Sequence, residues 1–513
     1  MKCRFVLACL LLASIGAWAV PARPGWQTRQ LADGSLVEVQ LVGDEYEHYL
    51  VTRDGRVVEE APEGMRVTAR RAPANPLRAP QGMGEKNLAP RGLVILAGFK
   101  DLPFEAGNDS ASMWKMLNES GYDFNGATGS ARDYFIAQSN GQYTPEFDVA
   151  GPIVLPQNRA YYGANTSSTS GSDNLTRVQE MIKDACNKVD PFVDFTKYVS
   201  EAQPNKIDFV FVIFAGSGEN YTGGDPDAVW PKRSTVSLTL DGKTLNDFAC
   251  SDEIDGYSGK RNGIGTFCHE FGHVIGFPDY YDTNIKTKGY NSDNYLTPGC
   301  WSAMDQGCYN NDCKTPANYS LFDKYYMGWL TPKVLSKDTK LNVTLGTDYE
   351  DGYMLTKSGE LVDYTSTDTV YYIENRQQKG WDLGLPGHGM LVWQVMYNST
   401  EWKKSPNDIK DHPHYTVVSA KQGEPIGYSA ANPFPGSANI TSFTQRPGYA
   451  ITDIAEADGK ITFKLNGGDP STGVQEVGSE TTGVVRSEKV LIDGQMVIRR
   501  GESVYSLTGT RIQ

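Results

Sequence analysis

The sequence is poor in histidine, with six in 513 residues. It contains no C-x-x-C pair, and no glutamate between Glu270 and Glu350. After the first 19 residues no stretch approaches 18 consecutive apolar residues, so no membrane-spanning helix is expected in the mature chain. Positive charge is short as well: 48 Lys and Arg stand against 62 Asp and Glu, a net charge of −14. That balance argues against nucleic acid or an anionic membrane surface as a partner, and its carboxylate-rich loops are suited to calcium. Without C-x-x-C the commonest thiolate metal site is missing. Metal chemistry would therefore fall to histidine and carboxylate.

Against that scarcity, two histidines sit four apart in His269-Glu270-Phe271-Gly272-His273. On a helix this spacing places both imidazoles on one face, about a turn apart, ready to seat one zinc ion with Glu270 beside it as general base. A helix is expected because Ile264, Phe267, Cys268, Phe271 and Ile275 form an apolar stripe at i, i+3, i+4, i+7 and i+11. Gly276 suits a left-handed helix end, and Pro278 prevents the helix resuming. The chain can then fold back and deliver Asp279 as a third ligand, leaving a fourth position for water; Asp282 is the nearby alternative. A bare H-E-x-x-H also occurs in ordinary surface helices, so the surroundings must decide. The downstream Gly and Asp resemble the elongated metzincin motif, with Asp in place of the usual third His. Met304, in Gly299-Cys300-Trp301-Ser302-Ala303-Met304-Asp305, lies where a metzincin carries its Met-turn. A thermolysin-type glutamate ligand fails on the gap from Glu270 to Glu350.

Residues 1–19 read as a signal peptide: Lys2 and Arg4, an apolar run from Phe5 to Ile15, then Ala17-Trp18-Ala19 before a cut at Val20. The product is exported, secreted or held at the cell surface. Cys186, Cys250, Cys268, Cys300, Cys308 and Cys313 then remain, an even number in an oxidising destination, and disulfides stapling the loops around the zinc helix are expected. Residues 20–91 read as a propeptide or as an ordinary amino-terminal domain on a flexible tether. Leu36 to Val57 alternates around turns at Gly43-Asp44-Glu45 and Arg53-Asp54-Gly55, a small β unit. A linker follows, with Arg70, Arg71, Arg78, Lys86 and Arg91 as cleavage points. This segment has no cysteine to block a metal, and Asp44 is the carboxylate suggested for that task.

Residues 92–332 form the expected catalytic unit. Strands at Leu93–Phe99 and Ile207–Phe214 and helices at Gly129–Ser139 and Leu175–Val189 give an α/β upper subdomain. Residues 333–466 read as a β-rich accessory domain, with strands at Asp368–Ile373 and Met390–Val395. His388 is taken as a hydrogen-bonded structural histidine at a Gly-rich turn, and His412 and His414 as solvated. Residues 467–488 are a linker and 489–513 a short β tail.

The motifs together resemble the immune inhibitor A family of secreted bacterial metalloproteases in its Bacteroidetes form. They are Gly129-Ser130-Ala131-Arg132-Asp133-Tyr134-Phe135, Ser139-Asn140-Gly141-Gln142, Gly151–Leu155, Gly263–Phe267, Phe277-Pro278-Asp279-Tyr280-Tyr281-Asp282 and Gly328-Trp329-Leu330. The resemblance implies an α/β (α+β) zincin-type catalytic domain with an amino-terminal propeptide. It also implies zinc on His269, His273 and Asp279, Glu270 as base, and protein or peptide substrates cleaved by an enzyme made as a latent precursor. Tyr280, Tyr281 and Tyr309 are the tyrosines near enough in sequence to assist. The tail resembles type IX sorting signals, which makes that secretion machinery a partner. The rival readings are an inactive zincin-fold adhesin and a carbohydrate-binding surface protein. The intact Glu270 favours the enzyme.

Overall fold

The computed structural model describes residues 18–45, 48–61, 64–68, 87–166, 174–221, 223–282, 296–399, 402, 405–408, 413–468, 487–492, 495–500 and 503–505. The expected cleavage points Arg70, Arg71, Arg78 and Lys86, most of the leader and His412 lie outside them. Two compact units divide the chain, residues 1–469 and 470–513.

The first unit is built on a seven-stranded sheet. Its strands are β1 (Trp18–Ala19), β7 (Arg91–Gly98), β8 (Glu146–Val154), β9 (Lys206–Ile207), β10 (Val210–Phe214), β11 (Lys232–Leu240) and β12 (Lys243–Asp252). They run β1-β11-β12-β10-β7-β8, with β9 beside β12. The central strands β12, β10, β7 and β8 are parallel, whereas β11 and then β1 join antiparallel. Both faces of the centre are covered, which is why Leu93–Ala97 and Val210–Phe214 are continuous apolar runs. Alternation sorts them. Leu93, Ile95, Val210, Val212 and Phe214 face one core with the buried side of α4 (Leu175–Val189). Val94, Leu96, Phe211 and Ile213 face the other core, with α1 (Ser110–Asn118), α2 (Ala131–Gln138) and α5 (Gly265–Ile275). A short α3 (Arg159–Gly163) precedes α4. The Ser130–Asp133 pair within Gly129–Phe135 is a reciprocal capping box at the start of α2.

An amino-terminal meander lies ahead of this sheet: β2 (Gln27–Gln30), β3 (Leu36–Gly43), β4 (His48–Thr52), β5 (Val57–Ala61) and β6 (Gly64–Thr68), each pairing with the next antiparallel. Beyond α6 (Leu321–Tyr326) come β13 (Lys333–Val334), β14 (Leu341–Leu345), β15 (Tyr353–Leu355), β16 (Val370–Arg376), β17 (Gly389–Val395), β18 (Tyr415–Val417), β19 (Ile451–Ala457) and β20 (Lys460–Leu465). They make a five-stranded sheet, β13-β15-β16-β17-β18, and a three-stranded sheet, β14-β20-β19. Tyr372, Leu391 and Trp393 point into the same core as α5, while Tyr371, Ile373, Met390 and Val392 point to the smaller sheet. One apolar core therefore runs across residue 333. The second unit holds a three-stranded antiparallel sheet: β21 (Ser487–Ile492), β22 (Gln495–Arg500) and β23 (Ser503–Tyr505).

Two expectations are corrected. No disulfide links any of the six cysteines. Cys186 belongs to the α4 core and Cys268 to the α5 core on the sheet's opposite face, so these two cannot staple one another. His414 is buried rather than solvated, with its backbone bonded to Met396 and Pro406. His388 is exposed and pairs through Nδ1 with Glu456 at 2.8 Å, as a structural histidine at a turn should.

Candidate metal centre

Helix α5 is wedged against the sheet by its apolar stripe. Phe267 meets Phe147 at 5.1 Å between ring centroids, and Phe271 meets Phe209 at 4.7 Å. This turns His269, Glu270 and His273 to the other side, where all three are buried. The helix stops at Gly276, whose φ of 114° only glycine adopts readily, and its N–H bonds back to Gly272 and His273. The reversal brings Asp279 under the helix, fully buried.

Each imidazole is fixed by a backbone carbonyl, which can only accept. His269 Nδ1 therefore donates to Ala303 O at 2.8 Å, and His273 Nδ1 to Phe277 O at 2.9 Å. In the neutral rings both Nε2 lone pairs then face each other at 3.0 Å, and Asp279 Oδ1 stands 3.2 Å from each. Burial lowers the His273 pKa despite nearby Asp279, which holds that ring neutral. Burial raises the Asp279 pKa, but His273 and His269 outweigh it and the carboxylate stays ionised. Three acceptors converging without a proton between them repel unless a cation joins them. Tetrahedral ligands about 2.0–2.1 Å from a zinc ion stand roughly 3.3 Å apart, close to the spacing found here. Among the described residues, His269, His273 and Asp279 are the one group of three or more such side chains near enough to share a metal, and no second group for calcium appears there. Asp282 is outside that group and lines the neighbouring cleft with Tyr281.

Ala303 and Met304 form the floor. Besides the Ala303–His269 bond, Met304 O accepts the Tyr280 N–H at 2.9 Å, next to Asp279. Met304 is fully buried beneath Gly272. One turn thus braces both the helix and the returning loop.

Glu270 points toward the amino-terminal segment. Burial, and secondly the charge of Asp279, push its pKa well above the usual carboxylate range. Its Oε1 accepts the Val20 N–H at 2.7 Å, while the buried Oε2 has no hydrogen-bond partner. Val20 arrives in an extended segment that sequence reasoning did not place here. β1 pairs Trp18 with Arg233 and Ala19 with Lys232 on the edge strand β11. Tyr281 donates to Ala19 O at 2.7 Å, Trp230 Nε1 to Val20 O at 2.9 Å and Tyr309 to Pro21 O at 2.6 Å. Of the three candidate tyrosines, Tyr281 and Tyr309 therefore face the cleft. Tyr280 turns away, bonding Asp323 at 2.8 Å and stacking on Tyr415. Asp44 is buried but does not join the metal group; its carbonyl takes His48 Nδ1. Trp230 gave no sequence signal, because it lies outside every motif.

Residues 113–330 match the family model for the immune inhibitor A peptidase M6 catalytic domain. Over 243 residues the chain is 26% identical to Immune inhibitor A of Bacillus thuringiensis subsp. alesti, covering 42% of this chain and 35% of that protein. Over 260 residues it is 26% identical to pre-pro-metalloprotease PrtV of Vibrio cholerae serotype O1, covering 42% of this chain and 27% of that protein. The match thus spans between about a quarter and a third of the length of these curated relatives.

Proposed function

We propose, on the premise that residues 113–330 form an immune inhibitor A-like metallopeptidase domain, that this chain is a secreted zinc endopeptidase made as a latent precursor. The convergence of His269 Nε2, His273 Nε2 and Asp279 Oδ1 within 3.0–3.2 Å carries the reading, since a cation shared by the three would relieve their repulsion. Zinc bound there would polarise a carbonyl and lower the pKa of a water toward ~7.

The protein's own groups do the rest. Once Val20 withdraws and water enters, Glu270 would lose part of the burial that raises its pKa, and its carboxylate could then take a proton from water and pass it to the leaving amine. The Val20 nitrogen, 2.7 Å from Glu270 Oε1, marks where that amine would stand. An extended substrate can pair with the β11 edge as β1 does, its carbonyls met by Tyr281, Trp230 and Tyr309. In the intact chain residues 18–23 fill this path, which supports latency. The expected leader cut falls on the same Ala19–Val20 bond, so export would leave the Val20 amine facing Glu270. Among the described residues no helix is long and apolar enough to cross a membrane, and the strands of residues 487–505 are read as a sorting signal for secretion. Casein hydrolysis that a chelator stops and added zinc restores is the expected result. A folded, zinc-loaded protein, cleaved in its linker, that leaves casein intact would instead support the adhesin reading.

A further inference from the structure

Three residues beyond the nitrogen facing Glu270, the chain turns an arginine inward. The Arg23 side chain is 5% exposed and ion-paired with the buried Asp255 carboxylate. Its guanidinium carbon lies 5.0, 5.1 and 5.7 Å from the ring centroids of Tyr257, Tyr221 and Tyr309. At the rim Asp312 approaches to 3.3 Å. Main-chain bonds set the depth of the segment, with Arg23 N donating to Asn220 O at 2.7 Å and Tyr257 donating to Arg23 O at 3.2 Å.

The pocket is made by the peptidase region and not by the segment that fills it. Asp255 Oδ1 is held by the N–H groups of Tyr257 at 3.0 Å and Ser258 at 2.7 Å, which leaves Oδ2 directed at the guanidinium. Tyr309 serves both parts of the path, its hydroxyl on Pro21 O and its ring beside Arg23. A buried carboxylate among three aromatic faces suits arginine better than lysine, because a planar guanidinium stacks while it donates. Were the segment to leave, Asp255 would be a buried charge without its cation, which is costly.

We propose that Asp255, Tyr221, Tyr257 and Tyr309 form a substrate subsite for an arginine side chain, occupied by Arg23 in the intact chain and open to substrate once the amino-terminal segment withdraws. The substrate role rests on the peptidase reading above. With Val20 N at the leaving-amine position, the arginine belongs at the fourth residue after the cleaved bond, counted Val20, Pro21, Ala22, Arg23.

Full-length Arg23→Ala empties the pocket without needing catalysis. Thermal-shift titration with methylguanidinium, which matches the vacated side chain while the main chain stays in place, should show saturable binding about tenfold or more tighter than with neutral methylurea. The wild type, its pocket filled, should show no saturable shift, and Arg23→Ala/Asp255→Asn should lose the preference. Equal binding of the two probes, or a preference that survives Asp255→Asn, would overturn the pocket. A second measurement uses the chain cleaved between residues 69 and 91: mass spectrometry of casein fragments should show arginine enriched severalfold at the fourth position after the cut. Selective probe binding with no such enrichment would reduce the pocket to an anchor for Arg23 and overturn the substrate role. Selective binding with no hydrolysis of any bond would strike the peptidase reading instead, while still upholding the guanidinium pocket.

Discussion

Replacing Gly272 by alanine tests whether the metal helix and the Met304 turn are one mechanical unit. A Cβ at Gly272 would lie 2.6 Å from Met304 Sδ, 3.2 Å from Met304 Cε and 3.1 Å from the Tyr319 hydroxyl. Ordinary contacts need about 3.5–4.0 Å, so roughly 1 Å of movement is demanded. Met304 and Tyr319 are both at 0% exposure and have no solvent to retreat into. Overpacking of this kind costs about 1–3 kcal/mol, which urea unfolding of the metal-free protein should report. Displacing Met304 also drags Ala303 O, which orients His269, and Met304 O, which holds Tyr280 beside Asp279. Metal affinity should therefore fall about tenfold or more, as when outer-shell partners of metal ligands are lost. Met304→Ala alone should cost about 2–5 kcal/mol. The double variant should be more stable than the sum of the singles by about 1 kcal/mol or more, because the clash is gone. Additivity within ~0.5 kcal/mol, or full stability in Gly272→Ala, would refute the coupling.

Glu270→Ala should keep its fold and metal while turnover falls by about 10²–10⁴, the usual weight of a general base; wild-type turnover in a metal-loaded sample would remove that role. Asp279→Ala should sharply lower zinc content measured by mass spectrometry, and Asp282→Ala should leave it largely intact; the reverse pattern would reassign the third ligand. Purified precursor should be weakly active and gain activity on cleavage between residues 69 and 91, whereas equal specific activity before and after would make the amino-terminal segment passive. Burial raises the Asp252 pKa from 3.8 to about 7, even though Asn262 donates to it at 3.0 Å. A raised folded value favours the folded state below pH 3.8, and that contribution is lost as pH climbs to about 7. Asp252→Asn should flatten the dependence of urea stability across that window, and an unchanged slope would show that other groups set it.

The convergence of His269, His273 and Asp279 was legible because its information is local. Helical period, the positive-φ stop at Gly276 and the scarcity of histidine all lie within a few residues of one another, and the pairing of Nε2 lone pairs follows from them. The central strands were legible for a related reason: burial on both faces leaves an unbroken apolar run, as in Val210–Phe214. Contacts between distant residues were not. Nothing near Trp230 marks it as the donor to Val20 O, 210 positions away, and nothing near Asp255 announces Arg23, 232 positions away. Cysteine number and compartment suggested disulfides, but pairing depends on geometry that strands and helices impose. Here they place Cys186 and Cys268 in the cores on opposite faces of one sheet.

On the proposed reading, the edge strand β11 would let one cleft be both latent and active. An unpaired edge is a liability for most proteins and a requirement for one that must bind extended chains. In the unprocessed chain β1 covers that edge for only two residues, Trp18 and Ala19, and the expected leader cut removes both. The exported segment is then held by side chains of the peptidase region that meet residues 20–23: Glu270, Trp230, Tyr309 and Asp255. Those are the groups a substrate would use, so a free peptide of the same sequence would hold no better than a good substrate. What favours the segment over substrate is covalent attachment, which gives it an effective concentration of about millimolar or more. Its following meander also has its own hold, with His48 Nε2 on Glu219 at 2.8 Å and its ring 4.4 Å from Trp230. Cutting the chain between residues 69 and 91 removes the covalent advantage without changing one contact. The segment must then compete by dilution, and substrate at ordinary concentration can take the edge. Activation on this account is a change of molecularity, and mature activity should rise as the cleaved protein is diluted.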